Sequence, residues 1–166
     1  MLIRKITISD AESFLSLCKT LDQESAFMML EPNERTATPD SQRQDIETLL
    51  LNGRFVILVC EHEDKLIGYI TALREPFNRL RHSAYIVIGI LQEFTGKGIG
   101  TALFKELEEW ARLQKIHRLE LTVMTHNAPA IHLYKKIGFE IEGTKKHSLI
   151  VDGQYVDEYY MAKFMD

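Results

Sequence analysis

The stretch Thr95-Gly96-Lys97-Gly98-Ile99-Gly100-Thr101-Ala102, TGKGIGTA, constrains the fold of this 166-residue chain more than any other eight residues. It follows HSAYIVIGIL, a long β-branched run that reads as a central, buried strand. After it, Ile99, Ala102, Leu103, Leu107, Trp110 and Ala111 recur on one helical face. Glycine costs roughly 1 kcal/mol against alanine inside a helix, so three glycines at a helix entrance need a reason. A helix N-terminus offers unpaired N–H donors and the positive end of its dipole, and glycine lets a ligand approach the backbone. A strand running through such a loop into a helix is a phosphate cradle by construction. The alternative is a tight turn with no ligand; alternating glycines with a lysine favour the cradle.

Neither common nucleotide loop fits. A P-loop places Ser or Thr directly after its lysine, but Gly98 follows Lys97, and no glycine lies at the required upstream spacing. The dinucleotide fingerprint G-x-G-x-x-G fails as well, because Gly96, Gly98 and Gly100 run G-x-G-x-G.

The rest of the chain supplies the frame. LIRKIT reads as a first strand, and Ser9 with Glu12 has the form of a capping box before Phe14, Leu17, Cys18 and Leu21. Residues 22–40, punctuated by Pro32 and Pro39, read as a loop with room for a turn of helix. Asp40 is placed to cap a second helix that runs to Leu51 and ends at Asn52-Gly53. RFVILVCEHEDKLIGYITALRE is a hairpin about Glu63-Asp64, and RLELTV is another buried strand. Asn127 or Thr125 caps a short helix carrying Ala130, Ile131, Tyr134 and Ile137, closed by Gly138. The tail forms two strands around Asp152-Gly153. The element order is βααβββαβαββ, with no repeat or linker: a single α/β (α+β) domain over residues 1–166.

Composition narrows the function. A chain of this length buries roughly 70% of its unfolded surface, enough for a core without staples. A formal net charge of −4 argues against a general nucleic-acid binder. No apolar run approaches the ~20 residues that span a bilayer, and Arg4, Lys5 and Asp10 interrupt any leader-like start. Cys18 and Cys60, without metal-type spacing, read as reduced packing residues of a cytoplasmic protein. His126 and His132 fall on different helix faces, so no metal is expected.

GKGIGTAL, taken with THNAPAIHLYKKIGFE some 25 residues on, resembles the GNAT superfamily of acyl-CoA-dependent N-acetyltransferases. The later motif, N-x-x-A-x-x-L-Y-x-x-x-G-F, is complete in Asn127, Ala130, Leu133, Tyr134, Gly138 and Phe139. In the earlier one, Gly98 and Gly100 are in place, while Thr95 stands where that family usually carries Arg or Gln. The resemblance covers the chain from about Arg54 onward. It implies a central mixed, largely antiparallel sheet of six to seven strands with about four helices.

By the same resemblance, acetyl-CoA is the cosubstrate. Main-chain amides of Gly96, Lys97, Gly98, Ile99, Gly100 and Thr101 would bind its pyrophosphate, and Ile88, Gly89 and Ile90 would pair with its pantetheine arm. The strands 88–91 and 119–123 would splay to admit the thioester. Asn127 would cap its helix and also serve the CoA arm. Lys97 would add charge beside the phosphates or stand by in solvent, and Lys135 and Lys136 read as a solvated helix face.

Acetyl transfer needs a neutral amine, a stabilised oxyanion and a protonated leaving thiolate. The resemblance gives the proton to Tyr134; the alternative is a packing tyrosine with its hydroxyl in water. The amide of Ile90 or Leu91 is the oxyanion donor. HSAYIVIGIL carries no carboxylate for a base, and Glu93, past its end, reads as solvent-facing. His82, Glu31 or a water chain are the candidates. The acceptor, a primary amine of a small molecule or peptide, would sit on residues 22–40 and the hairpin 145–157. Glu24, Glu31 and Glu34 hint at a cationic acceptor, and Met28 and Met29 would line its pocket or fill core. The alternative from another class is a non-catalytic acyl-CoA sensor on the same fold; a nucleotide-triphosphate enzyme is the weaker third. Nothing here requires nucleic acid or a membrane, and a homodimer is compatible.

Overall fold

The computed structural model describes residues 1–165. Its elements are β1 (Leu2–Lys5), α1 (Ala11–Glu24), α2 (Pro39–Asn52), β2 (Phe55–His62), β3 (Lys65–Arg74), β4 (Ser83–Ile90), α3 (Ile99–Leu113), β5 (Arg118–Met124), α4 (Ala128–Ile137), β6 (Glu140–Val151) and β7 (Gln154–Phe164). The order is the one expected from the sequence. Seven strands hydrogen-bond in the order β1-β2-β3-β4-β5-β7-β6, a mixed sheet in which β4 and β5 are parallel. Two compact units share it along the chain: Met1–Leu73 with Val87–Leu107, and Arg74–Ile86 with Glu108–Asp166.

In the first unit, β2 is buried continuously from Val56 to Cys60, as a strand covered on both faces should be. α1 lays Phe14, Leu17, Cys18 and Leu21 against Ile57, Val59, Leu66 and Tyr69, with Ile46 of α2 closing the cluster. Phe14 meets the Tyr69 ring edge-on at 5.2 Å. Glu63 and Asp64 both take positive φ, 49° and 61°, the geometry of a two-residue hairpin turn.

The caps are not the residues the sequence suggests. A 3-10 turn, Ile8–Asp10, precedes α1, and the Asp10 carboxylate accepts from Thr7 N at 2.7 Å and Thr7 Oγ1 at 2.9 Å. Ser9 and Glu12 are not the cap. Arg4 completes the knot, donating to both Asp10 oxygens at 2.8 Å, and holds that carboxyl down at about 2. For α2, Thr38 rather than Asp40 is the cap, accepting from Ser41 N at 3.2 Å, and Pro39 fills the first helical position. Gly53 ends α2 with φ 67°. Residues 22–24, expected in the loop, belong to the last turn of α1.

The second unit is an antiparallel β5–β7–β6 layer joined in parallel to β4 over Ser83–Tyr85. Lys163 of β7 donates from Nζ to Glu108 at 2.5 Å and to the Ile137 carbonyl at 2.8 Å, tying both helices of this unit to the sheet. Its stem lies 3.6 Å from where a Gly138 Cβ would stand. Asp152 and Gly153 form the expected tight turn with φ 50° and 73°. Among the described residues, no helix is long and apolar enough to cross a membrane.

Candidate functional site

β4 passes through a short 3-10 turn, Gln92–Phe94, into the glycine loop. Gly96 and Gly98 sit at φ 73° and 81°, a left-handed conformation that costs other residues roughly 1–2 kcal/mol. A Cβ at either would meet nothing within 4 Å, so these glycines answer to the backbone and not to a neighbour. Gly98 accepts the first helical bond, from Ala102 N at 3.1 Å, which starts α3 at Ile99. The amides of Gly96, Lys97, Gly98, Ile99, Gly100 and Thr101 find no protein acceptor among the described residues. Six consecutive donors stand at the positive end of a fifteen-residue helix, where the dipole and the unpaired N–H groups favour negative charge. Gly100 is buried in the first turn, and Thr101 is exposed. Lys97 holds its ammonium 4.9 Å above the Phe94 ring, a cation–π contact.

The strand before the loop is divided by the direction of its main chain. Leu91 N donates to Ile67 O of β3 at 2.9 Å, and Gly89 O points the same way, toward Gly68. Strand alternation therefore turns the amides and carbonyls of Ile88 and Ile90 away from β3. Of the two oxyanion donors considered, Leu91 is already engaged, which leaves Ile90. A Cβ on Gly89 would lie 2.8 Å from Leu21 Cδ1 and 3.0 Å from Tyr69 Cε1, so α1 rests directly on this strand.

In the second unit, Asn127 caps α4, its Oδ1 accepting from Ala130 N at 3.3 Å. Thr125 is not the cap. Tyr134 is buried, 7% exposed, rather than holding its hydroxyl in bulk water. Burial, and secondarily Tyr85, raise its pKa above the ordinary phenol value, which keeps the proton on the oxygen. Phe139 lies 6.0 Å away, ring to ring.

Other candidates separate clearly. His82 stands exposed just before β4, at the strand end opposite the glycine loop, with its carbonyl bonded to the amides of His117 and Arg118. Glu31 and Glu34 are exposed and bond locally; Glu34 accepts from Glu31 N at 2.7 Å. Glu24 is committed, its Oε1 accepting from Gln92 N at 2.5 Å. Met28 packs on the core, whereas Met29 is exposed. Glu93, Lys135 and Lys136 face solvent, and Cys18 and Cys60 are buried free thiols. No group of three or more His, Cys, Asp or Glu that could hold a metal occurs among the described residues.

Sequence reasoning missed the Asp22–Arg35 pair, bidentate at 2.6 and 3.1 Å, which fastens the α1–α2 loop to α1. It also missed the Gly68–Gly89 approach. A signal for the second existed: a lone glycine inside each of two apolar runs marks close backbone contact.

Residues 19–139 match the acetyltransferase (GNAT) family. L-amino acid N-acetyltransferase AaaT of Escherichia coli K12 is 40% identical over 110 residues, 64% of this chain and 66% of that protein. The match thus spans just under two thirds of that relative. A GNAT-family acetyltransferase from Streptococcus pneumoniae superposes with TM-score 0.94 at 28% identity, covering 99% of both chains. YncA of Salmonella typhimurium, solved with its cofactor acetyl-CoA, superposes with TM-score 0.88 at 22% identity, over 100% of this chain and 94% of that one, a likeness of fold. With its glycine cradle, its complete later motif and its strand order in agreement, the chain belongs to the GNAT family of acetyltransferases.

Proposed function

We propose that the chain transfers an acetyl group from acetyl-CoA to a primary amine of a small molecule or peptide. The observation that carries this reading is the run of six amides at the α3 tip that find no protein acceptor among the described residues, with open space where a Cβ on Gly96 or Gly98 would stand. A diphosphate satisfies such a run without any particular side chain, so Thr95 in place of Arg or Gln leaves the cradle intact. Ile88 and Ile90, with main chain directed away from β3, supply a free strand edge for the amide groups of a pantetheine arm.

Acetyl-CoA, when bound, supplies an activated thioester carbonyl and a thiolate leaving group. Tyr134 holds the proton that the departing sulfur takes and regains one from the solvent that receives the amine's proton; burial keeps the phenol in its neutral form at neutral pH. The Ile90 amide is the donor for charge developing on the carbonyl oxygen. Asn127 fixes the start of α4 and with it the helix that carries Tyr134. With no carboxylate on β4, the amine's own proton leaves to water.

Steady-state assay with acetyl-CoA and a panel of primary amines tests the reading. Turnover is expected, with Tyr134→Phe lowering kcat by about 100-fold or more while acetyl-CoA binding changes little. Tight coenzyme binding with no turnover on any amine would instead mark a sensor, and neither binding nor turnover rejects both.

A further inference from the structure

The two faces of β5 differ in chemistry. Leu119, Leu121 and Val123 are buried, while Arg118, Glu120 and Thr122 alternate with them and turn to the other face of the sheet. The register sets Tyr85 of β4 beside Glu120, and Tyr160 of β7 beside Thr122, so their side chains gather on that second face. They line a cavity of ≈260 Å³, and Tyr85 and Tyr160 stay 39% and 45% exposed there. Tyr85 Oη and Thr122 Oγ1 stand 2.8 Å apart and share one hydrogen bond across the two strands. The same unit carries Tyr134, whose ionisation Tyr85 influences.

Arg118 is the cation of this cavity, and it is already engaged. Its Nε donates to Glu120 Oε2 at 2.5 Å, its Nη1 to Glu142 Oε1 at 2.8 Å, and its Nη2 to Glu142 Oε2. Glu142 of β6 therefore fills the fork with which a guanidinium would receive a ligand's carboxylate. One guanidinium set against two carboxylates leaves an excess of negative charge at the wall. The tyrosine rings present electron-rich faces to a cation, and the paired hydroxyls keep lone pairs for N–H donors. Charge, rings and hydroxyls all favour an ammonium compound and oppose an anion.

We propose that this cavity holds the body of the acceptor amine, and that Glu120 and Glu142, by occupying Arg118, close it to amines that carry a free carboxylate. The acceptor class is then an amine whose neighbouring carboxylate is absent or masked, such as an amino amide, and free α-amino acids are poor substrates. This rests on the amine-acetyltransferase reading above and adds selectivity to it. It also moves the acidic signal from Glu24, Glu31 and Glu34 to β5 and β6.

The test compares L-phenylalaninamide with L-phenylalanine as acceptors, in the wild type and in Glu142→Ala. Glu142 is exposed, and the substitution frees the Arg118 fork without disturbing a core position. The wild type should favour the amide in kcat/KM by about tenfold or more, the scale of one charge-assisted hydrogen bond. Glu142→Ala should raise kcat/KM for L-phenylalanine about tenfold and narrow that ratio, with the KM for acetyl-CoA within about twofold. A wild type that prefers the amino acid, or a ratio that the substitution leaves unmoved, overturns the proposal. Tyr160→Ala removes one exposed wall and should raise the KM for the amide alone; an unchanged value refutes the cavity. Should neither compound be acetylated, calorimetry on the same pair decides: the amide must bind the wild type, and L-phenylalanine must gain affinity in Glu142→Ala. Absence of either result refutes the selectivity, whereas inactivity on every amine of the panel defeats the transferase reading by itself.

Discussion

At the last turn of α1, Asp22 grips Arg35 with both oxygens, Glu24 accepts the Gln92 amide, and Leu21 fills the space above Gly89. At the entry to α3, six amides find no protein acceptor among the described residues, and two glycines hold left-handed φ with open space where a Cβ would stand. Both regions use glycine, for opposite reasons. At Gly89 the missing Cβ is room already occupied by a neighbour; at Gly96 and Gly98 it is conformational freedom, and the room stays free. The first arrangement is architecture, complete without a ligand. The second leaves its donors without a protein acceptor among the described residues, which is what the proposed diphosphate contact requires.

The largest effect that separates them should come from Arg35→Ala. Asp22, 2% exposed, would be left as a buried charge, and urea unfolding should show a loss of about 3–5 kcal/mol. Acetyl-CoA affinity of the folded protein should stay within about threefold. A comparable loss of affinity would mean that the two regions are not independent.

A matched pair of alanines sharpens the contrast. Gly89→Ala places a methyl against Leu21 and Tyr69 and should cost about 1–3 kcal/mol of stability with little change in acetyl-CoA Kd. Gly98→Ala meets no neighbour, so its cost is the left-handed backbone alone, about 1–2 kcal/mol. Its acetyl-CoA Kd should rise about tenfold or more, equivalent to about 1.4 kcal/mol, as the amides lose their aim. Calorimetry and urea melts on both variants decide it; equal Kd values would remove the distinction.

The smallest effect is one of pH. Burial raises the phenol pKa of Tyr69 in the first unit and of Tyr134 in the second. Their contribution is intact below the unfolded value near 10 and is lost as pH rises beyond it, since the unfolded chain then releases protons the folded one keeps. Stability should fall by up to about 1.4 kcal/mol per pH unit for each tyrosine above pH 10. Tyr134→Phe should remove its share of that slope, and an unchanged slope would show that its burial does not shift its ionisation.

Much of this is legible in the sequence. The element order follows from periodicity and turn residues, because those signals are local: Glu63-Asp64, Asp152-Gly153, and Gly138 after Ile137. The caps are less legible: a 3-10 turn capped by Thr7 precedes α1, and α2 is capped by Thr38 because Pro39 serves as a first helical residue rather than a breaker. The glycine loop was visible because its chemistry lies in consecutive residues. The Asp22–Arg35 pair, the α1 contact on Gly89 and the Arg118–Glu142 bond were not, for each depends on chain segments brought together only by the fold. Leu91 shows the same limit at one atom: its sequence position made it a donor, and the β3 register consumed that donor.

The central claim is that main-chain amides at one helix tip grip a diphosphate. An amide-resolved ¹⁵N–¹H titration with coenzyme A tests it most directly. The resonances of Gly96, Gly98, Ile99, Gly100 and Thr101 should move furthest and together, saturating at one Kd. If coenzyme A binds while those five stay in place, the loop is only a turn and the account is wrong.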